Sequence, residues 1–276
     1  MKHIIVIISF LILALSNLGI CQKSKIPYGN NPAVGKYSAV NGIKVYYEIY
    51  GEGEPLLLIH GNGGSIKSST PKIEYYKDKY QVIAMDSRAH GKTKDIGDSL
   101  TYVNMTSDVN AVLDQLNIDS CYIMGQSDGG IIGIKLAIDY PDKVKRLAVF
   151  GANLRPDSTA VDADNAEFVK KMIANETDDY KLRLFGLLIY QPQIPIKDLA
   201  KVAAPVLVMT GDRDVIKLEH SLEIFYNIKQ SNLFVMPGAT HFGSYEKPEL
   251  FFKVLDEFFT KPVSTTTTYD IIKNMK

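Results

Sequence analysis

Residues 121–130 constrain the fold more strongly than any other part of the chain. An apolar run ends in Gly-Gln-Ser-Asp-Gly at 125–129, and residues 131–137 continue as a helix-forming pattern. Gly-x-Ser-x-Gly between a strand and a helix forms a tight turn that strains the serine backbone and exposes its hydroxyl above the strand ends. The five residues recur by chance in other chains, so the flanking strand and helix carry the specificity. The pattern predicts that Ser127 lies on a nucleophile elbow.

Six continuous apolar runs indicate strands buried on both faces, and helical patterns separate them. The runs lie at 55–60, 80–85, 122–124, 147–150, 205–210 and 233–236. An alternating, β-like run at 44–50 precedes them. Strands that alternate with helices form βαβ units with right-handed crossovers. We therefore expect an α/β fold with a mostly parallel central sheet flanked by helices.

The segment from about residue 154 to residue 200 interrupts this alternation, because it contains no strand-like run. Asp164–Ala174 and Asp178–Tyr190 have helical patterns. The segment follows the sixth core strand, and ligands of open α/β sheets bind at the carboxyl ends of the strands. We expect a short helical cap above the site, with helices that only cover the surface as the alternative.

Residues 1–21 have the pattern of a secretory signal peptide. Lys2 and His3 precede an apolar run, and cleavage after Cys21 would start the mature chain at Gln22. This predicts an exported protein, periplasmic or secreted. Two alternatives are a lipoprotein with lipid on Cys21 and a membrane anchor at the short limit of about 17 residues. Without lipidation we expect no stable membrane partner.

Composition divides the remaining chain. We expect residues 22–36, which are rich in Lys, Asn, Pro and Gly, to form a linker. Residues 37–262 should form the folded domain. Residues 263–276 should form a tail, either a short helix or a disordered segment. The whole chain has 31 basic and 31 acidic residues. This balance gives no basic surplus for binding nucleic acid.

Two short motifs resemble a known family. Ser-Asp-Gly-Gly-Ile at 127–131 and Phe-Gly-Ala-Asn at 150–153 resemble the valacyclovir hydrolase-like (biphenyl hydrolase-like) branch of the α/β-hydrolase superfamily. The superfamily resemblance spans 37–259 and implies an α/β-hydrolase fold. Serine at the elbow disfavours haloalkane dehalogenases and epoxide hydrolases, which carry aspartate there. Ala89 replaces the first glycine of the family's Asp-x-Arg-Gly-x-Gly loop, which predicts an ordinary backbone conformation at that residue.

A serine hydroxyl needs a general base, and the base needs an orienting carboxylate. In this fold the chain order is serine, acid, histidine. Only His220 and His241 follow Ser127. His220 falls in the helical stretch 218–228, where a solvated surface histidine is the ordinary expectation. His241 follows the last strand in a loop at the sheet edge, so we assign the base to His241.

Two carboxylates compete for the role of the acid. Asp212 and Asp214 both follow the strand at 205–210. The resemblance to the family's Gly-x-x-Asp loop assigns the role to Asp214. Asp212 is then a turn former or a partner of Arg213.

An oxyanion hole needs two preorganised N–H donors, each typically worth about 3–4 kcal/mol of transition-state stabilisation. One donor is the backbone N–H of Asp128, at the start of a helix. The other should come from the glycine-rich loop 60–64, where Asn62 is the first candidate and Gly63 is a candidate for the same role and for substrate binding. We expect His60 to be structural.

Asp128 is also a candidate for substrate binding. A carboxylate about 6 Å from the oxyanion would oppose it by roughly 3 kcal/mol at an effective dielectric constant of about 20. The cost is tolerable if the carboxylate caps the helix and points away from the site. It is useful if the substrate carries an ammonium group, and the resemblance implies a branch that includes aminoacyl-ester hydrolases.

The sequence therefore predicts a serine hydrolase that acts on a small acyl substrate, a carboxylic and possibly aminoacyl ester, without a metal or organic cofactor. Ser127, His241 and Asp214 form the expected catalytic triad. Three alternatives are a carbon–carbon bond hydrolase, a small exopeptidase and a ligand-binding protein without turnover.

Overall fold

The structure, a computed structural model, describes residues 26–95, 97 and 100–275. The predicted signal peptide, 1–21, lies outside the described residues. Among the helices of these described ranges, none has the length and apolar character needed to cross a bilayer.

Eight strands form one mixed sheet in the order β1-β2-β4-β3-β5-β6-β7-β8. β1 and β2 are antiparallel to their neighbours, and β3 to β8 are all parallel. The strands are β1 Lys36–Val40, β2 Ile43–Tyr50, β3 Pro55–Ile59, β4 Gln81–Met85, β5 Cys121–Gln126, β6 Val144–Phe150, β7 Val206–Gly211 and β8 Ser231–Met236. The predicted α/β-hydrolase fold with a mostly parallel sheet is confirmed.

Helices follow most of the parallel strands. They are α1 Thr70–Tyr76, α2 Tyr102–Gln115, α3 Asp128–Asp139, α4 Ala163–Asn175, α5 Asp179–Tyr190, α6 Leu218–Asn227, α7 Gly243–Glu246, α8 Pro248–Thr260 and α9 Thr268–Asn274. α3 ends just before Pro141, which has no N–H with which to continue a helix. Pro248 occupies the first turn of α8, where a proline is favoured.

Each face of the sheet has its own apolar core. In β3, Leu57 and Ile59 pack into one cluster with α2 and α3, while Leu56 and Leu58 pack into the other with α1 and α8. Side chains alternate along a strand, so a strand covered on both faces must be apolar at every position. This explains the continuous apolar runs in the sequence.

The cap consists of α4 and α5, both within the predicted insertion at 154–200. Hydrogen bonds and an ion pair attach it to the sheet domain. Arg183 lies 2.5 Å from Asp95, and Gln191 accepts from the backbone N–H of Tyr102 and donates to the carbonyl of Leu100. α5 therefore lies over the N-terminal end of α2 and over the loops at the carboxyl edge of the sheet.

Residues 26–35, which the sequence assigns to a linker, instead form turns that pack on β2. The buried carboxylate of Glu48 accepts from the backbone N–H groups of Gly29 and Asn31 and from the hydroxyls of Tyr46 and Tyr50. Polar composition masked this packing, because the acceptor is supplied by a distant strand. In the tail, α9 presents exposed apolar side chains, including Ile271 and Ile272.

Candidate active site

Ser127 occupies the strained turn that the sequence predicts. Its φ of +55° and ψ of −119° are unusual for a residue other than glycine. A Cβ added at Gly125 would lie 2.1 Å from the Gly129 carbonyl oxygen, and one added at Gly129 would lie 2.1 Å from that of Ile59. The turn therefore excludes any side chain at the two glycines.

The neighbours of Ser127 include the end of β6 and the loop after β3. Its backbone N–H donates to the carbonyl of Phe150 at the end of β6 (2.8 Å). The α-carbon of Gly61 faces it so closely that an added Cβ would lie 3.1 Å from the serine Cβ. Ser127 itself is only partly buried, so its hydroxyl is accessible between these segments.

His241 and Asp214 lie together at the carboxyl edge of β7 and β8. Nδ1 of His241 donates to Oδ1 of Asp214 at 2.7 Å, and the aspartate side chain is fully buried. Oδ1 also accepts from the N–H of Ile216 at 2.9 Å, and Oδ2 accepts from the hydroxyl of Thr210 at 3.3 Å. Asp212, the other candidate, is exposed. The contact with His241 belongs to Asp214.

Two contacts bring His241 next to the serine turn. Nε2 of Gln126, the residue before the serine, donates to the backbone carbonyl of His241 at 3.1 Å. Gly151 directly follows Phe150, and a Cβ added there would lie 2.6 Å from the imidazole Cε1. Since the proton on Nδ1 is held in the hydrogen bond to Asp214, Nε2 is the nitrogen that can act as a base.

The environment of His241 favours its charged form. Burial opposes the imidazolium, but the hydrogen bond and the negative charge of Asp214, with the charge of Asp128, raise the pKa of His241 above its usual 6.5. A raised pKa strengthens the histidine as a proton acceptor once it is neutral.

His220 is not the solvated surface residue that its helical position suggests. It is 1% exposed; its Nε2 accepts from the N–H of Leu154 at 2.9 Å, and its Nδ1 contacts Glu223 at 2.9 Å. Burial lowers its pKa. The expectation failed because α6 packs where the chain enters the cap, so the imidazole serves as an acceptor for that backbone.

The loop after β3 contains the residues expected to form the second half of the oxyanion hole. The backbone N–H groups of Asn62 and Asp128 have no acceptor within the described part of the chain. Gly63 has φ of +67° and faces open space, which suits a position on the rim of the site. His60 is structural: its Nε2 accepts from the N–H of Ser87, its Nδ1 faces the carbonyl of Gly61, and burial lowers its pKa to about 3.

Asp128 is buried directly beside the nucleophile, with 2% of its surface exposed. Its Oδ2 accepts from Nδ2 of Asn62 at 3.0 Å, and the same amide donates to the carbonyl of Leu184 in the cap at 3.1 Å. Its Oδ1 is buried and has no hydrogen-bond partner among the described residues. Burial raises the pKa of Asp128, although His90, Tyr102 and Asn62 lower it.

The side chain of Asp128 does not cap its helix. Its carboxylate interacts instead with the side chains of Asn62 and Tyr102, and it accepts no backbone N–H of α3. The helix-capping role is therefore not the one seen in the structure. Oδ1 has no partner at hydrogen-bond distance among the described residues.

Ala89 adopts a left-handed backbone with φ of +61°, contrary to the ordinary conformation that its side chain predicts. The loop is fixed by Asp86, whose carboxylate accepts from the N–H groups of Ile66 and Lys92 at 2.8 and 2.7 Å. These bonds require the family's turn even without glycine. An alanine there costs on the order of 1–2 kcal/mol.

Sequence reasoning missed a buried polar group beneath the elbow. Lys72 of α1 donates to the side chains of Gln126 and Ser244. The available signal was a lysine on the buried side of α1, one turn before Tyr76. Within the described ranges, no group of three His, Cys, Asp or Glu side chains could hold a metal ion.

Comparison with known proteins identifies the family to which the chain belongs. Residues 54–173 match the family model of the alpha/beta hydrolase fold. The chain is 31% identical over 245 residues to the (E)-2-((N-methylformamido)methylene)succinate hydrolase of Acinetobacter baylyi, across 76% of this chain and 91% of that protein. The protein belongs to the α/β-hydrolase family, and it is a hydrolase of that fold.

A second relative is a putative carbamate hydrolase, RutD, of Azorhizobium caulinodans. It is 31% identical over 157 residues, which are 56% of this chain and 58% of the relative. The match therefore spans a little over half of that protein's length.

Solved structures agree on the fold. The meta-cleavage product hydrolase of Pseudomonas fluorescens IP01 is 23% identical, with a TM-score of 0.69 over 83% of this chain and 98% of its own. The enol-lactonase of Burkholderia xenovorans LB400 is 21% identical, with a TM-score of 0.69 over 82% of this chain and 100% of its own. The shared fold thus covers 82–83% of this chain.

Proposed function

We propose that the protein is a serine hydrolase that cleaves a carboxylic ester through an acyl-enzyme on Ser127. The observation that carries the proposal is the arrangement of one strained, accessible serine beside a histidine held by a buried carboxylate. A serine hydroxyl gains nucleophilic strength only when a positioned base takes its proton. Ser127, His241 and Asp214 are the proposed triad.

The reaction divides into two balanced steps. The Ser127 oxygen bonds to the acyl carbon while Nε2 of His241 takes the hydroxyl proton, and the alcohol then leaves with that proton. Water next attacks the acyl-enzyme, again giving a proton to His241, and the acid leaves as the proton returns to Ser127. Asp214 keeps the imidazole in the required tautomer throughout.

The free N–H groups of Asn62 and Asp128 are the proposed oxyanion donors. They are backbone groups fixed by the loop after β3 and by the start of α3, so they need no reorganisation when charge develops on the acyl oxygen.

We further propose that the acyl part carries an ammonium group, as in an α-amino acid ester. Oδ1 of Asp128 is buried and unpaired, and such an oxygen is costly unless a ligand donor satisfies it. An ammonium would provide both the donor and the neutralising charge. The partner is therefore a small acyl molecule, and export of a mature chain that begins at Gln22 remains part of the proposal.

The test is hydrolysis of p-nitrophenyl butyrate by a protein that begins at Gln22, beside Ser127→Ala. We expect turnover by the wild type and its loss in the variant. Equal rates in both would contradict the assignment of Ser127.

The alternatives from the sequence give the next substrates to test if neither protein cleaves the ester. The proposal of an esterase would then be wrong, and β-diketone-like compounds would test carbon–carbon cleavage. Aminoacyl anilides would test exopeptidase activity. Binding of these compounds without turnover would identify a ligand-binding protein.

A further inference from the structure

A buried lysine lies directly beneath the nucleophile turn. Lys72 is 4% exposed, and its Nζ lies 3.1 Å from Oε1 of Gln126 and 3.3 Å from the hydroxyl of Ser244. The ammonium also lies over the rings of Tyr245 and Phe251, at 4.5 and 5.5 Å from their centres. It belongs to α1, which supplies none of the proposed catalytic side chains.

The burial of the Lys72 amine carries a free-energy cost. No acidic side chain pairs with Lys72 in the part of the chain that the structure describes, and burial lowers its pKa to about 7. Removing a charge from water without an opposite charge destabilises a fold. An apolar side chain would fill the same space at lower cost, so a stabilising role does not explain the lysine.

The contacts of Lys72 lead to the proposed base. Gln126 accepts on Oε1 from both Lys72 and Ser244, the latter at 2.8 Å, and its Nε2 donates to the backbone carbonyl of His241 at 3.1 Å. Both the ammonium and the neutral amine can donate an N–H to Oε1 of Gln126, which keeps the amide oxygen on that side and leaves its N–H₂ for His241. The ammonium, which has donors only, enforces this orientation most strongly. A charged donor also polarises the amide and strengthens the second hydrogen bond.

The space beside Lys72 is too small for a substrate. A cavity of about 10 Å³ is lined by Lys72, His60, Gly61, Gln126 and Tyr245 among others. This volume is no larger than one water molecule requires. An acyl group therefore does not fit beside the amine.

We infer that Lys72 is a positioning residue, which orients Gln126 and through it holds the loop that carries His241 against Ser127. The inference rests on the proposed serine hydrolase. His241 then has two supports. Asp214 holds its imidazole ring, and Lys72 holds its backbone through Gln126.

The experiment measures the rate at which a fluorophosphonate probe labels Ser127, which reports nucleophile activation without knowledge of the natural substrate. The variants form a double-mutant cycle, which consists of Lys72→Met, Gln126→Leu and the two changes combined. The matched control is Lys67→Met, at an exposed lysine five residues earlier in the chain. Gln126→Glu is a further variant, because it still accepts from Lys72 but its ionised carboxylate cannot donate to His241.

We expect labelling to slow about tenfold or more in Lys72→Met, Gln126→Leu and Gln126→Glu, with no further loss in the double variant. We also expect Lys72→Met to raise the midpoint of thermal unfolding by at least about 2 °C. A merely structural lysine would lower both quantities together. Lys67→Met should change neither.

Other results would overturn the inference. Labelling of Lys72→Met at the wild-type rate would remove the role of Lys72 and leave the proposed triad intact. If labelling of the double variant slowed by the product of the two single-variant factors, Lys72 would not act through Gln126. If the wild-type protein were not labelled at Ser127, the proposed function itself would fail.

Discussion

Asp214 and Asp128 are both buried carboxylates near the nucleophile, yet their surroundings differ. Asp214 accepts from His241, the Ile216 N–H and the Thr210 hydroxyl, so both of its oxygens are engaged. Asp128 accepts from the Asn62 amide on Oδ2 and interacts with the Tyr102 hydroxyl, while its Oδ1 has no partner at hydrogen-bond distance among the described residues.

This difference separates two uses of a buried charge. A carboxylate with all of its donors in place is rigid and suits the orientation of a neighbouring side chain. A carboxylate with an unpaired oxygen is destabilising in the free protein and gains when a ligand supplies the missing donor. Asp214 therefore fits the triad, and Asp128 fits recognition of the substrate.

The largest expected effect comes from Asp214→Asn. The amide keeps the volume but presents a donor to Nδ1, which favours the wrong tautomer of His241. In serine proteases, the corresponding change lowers kcat by about 10⁴-fold. We expect a loss of about 10³–10⁴-fold in kcat for p-nitrophenyl butyrate, measured at saturating ester. A loss below tenfold would show that Asp214 does not orient the base.

Asp128→Asn should discriminate between substrates. A hydrogen bond to a charged group contributes about 1.5–3 kcal/mol, so kcat/KM for the p-nitrophenyl ester of valine should fall roughly 10–150-fold. The 3-methylbutanoyl ester has the same carbon skeleton without the ammonium and should not lose activity. Equal losses for the two esters would contradict recognition of an ammonium by Asp128.

The pH dependence of kcat/KM should show a smaller effect, and the pKa of His241 defines its direction. His241 acts as a base only when neutral, so kcat/KM for p-nitrophenyl butyrate should fall as pH drops through its pKa. Because that pKa is raised, the midpoint should lie above 6.5. Asp128 is one of the charges that raise it, so Asp128→Asn should move the midpoint to lower pH. An unchanged midpoint would mean that the two groups are not coupled.

Thr210→Val should have the smallest effect. The hydroxyl lies 3.3 Å from Asp214, and two other donors remain. Removing one weak hydrogen bond of about 0.5–1.5 kcal/mol should lower kcat by less than about tenfold. A loss as large as that of Asp214→Asn would show that the carboxylate depends on this one donor.

The sequence predicts the features that depend on local pattern. The elbow at Ser127 follows from glycine spacing between a strand and a helix, and His241 follows from its place after the last strand. The choice of Asp214 over Asp212 required the family resemblance, because spacing alone left both open. The structure places Asp214, and not Asp212, against His241.

Features that depend on contacts between distant segments were not predictable. Lys72 meets Ser244 across 172 positions, and Asn62 meets the Leu184 carbonyl across 122. His220 has the pattern of a surface residue, and its burial is decided by the chain that enters the cap. Local patterns predict which elements form, but not which side chains those elements cover.

The most direct test of the account is the intact mass of the protein mixed rapidly with p-nitrophenyl butyrate and quenched in acid. The account predicts a transient mass increase of one butyryl group, located on the peptide that contains Ser127 and absent from Ser127→Ala. Turnover without any butyryl adduct, or an adduct on another residue, would contradict nucleophilic catalysis by Ser127.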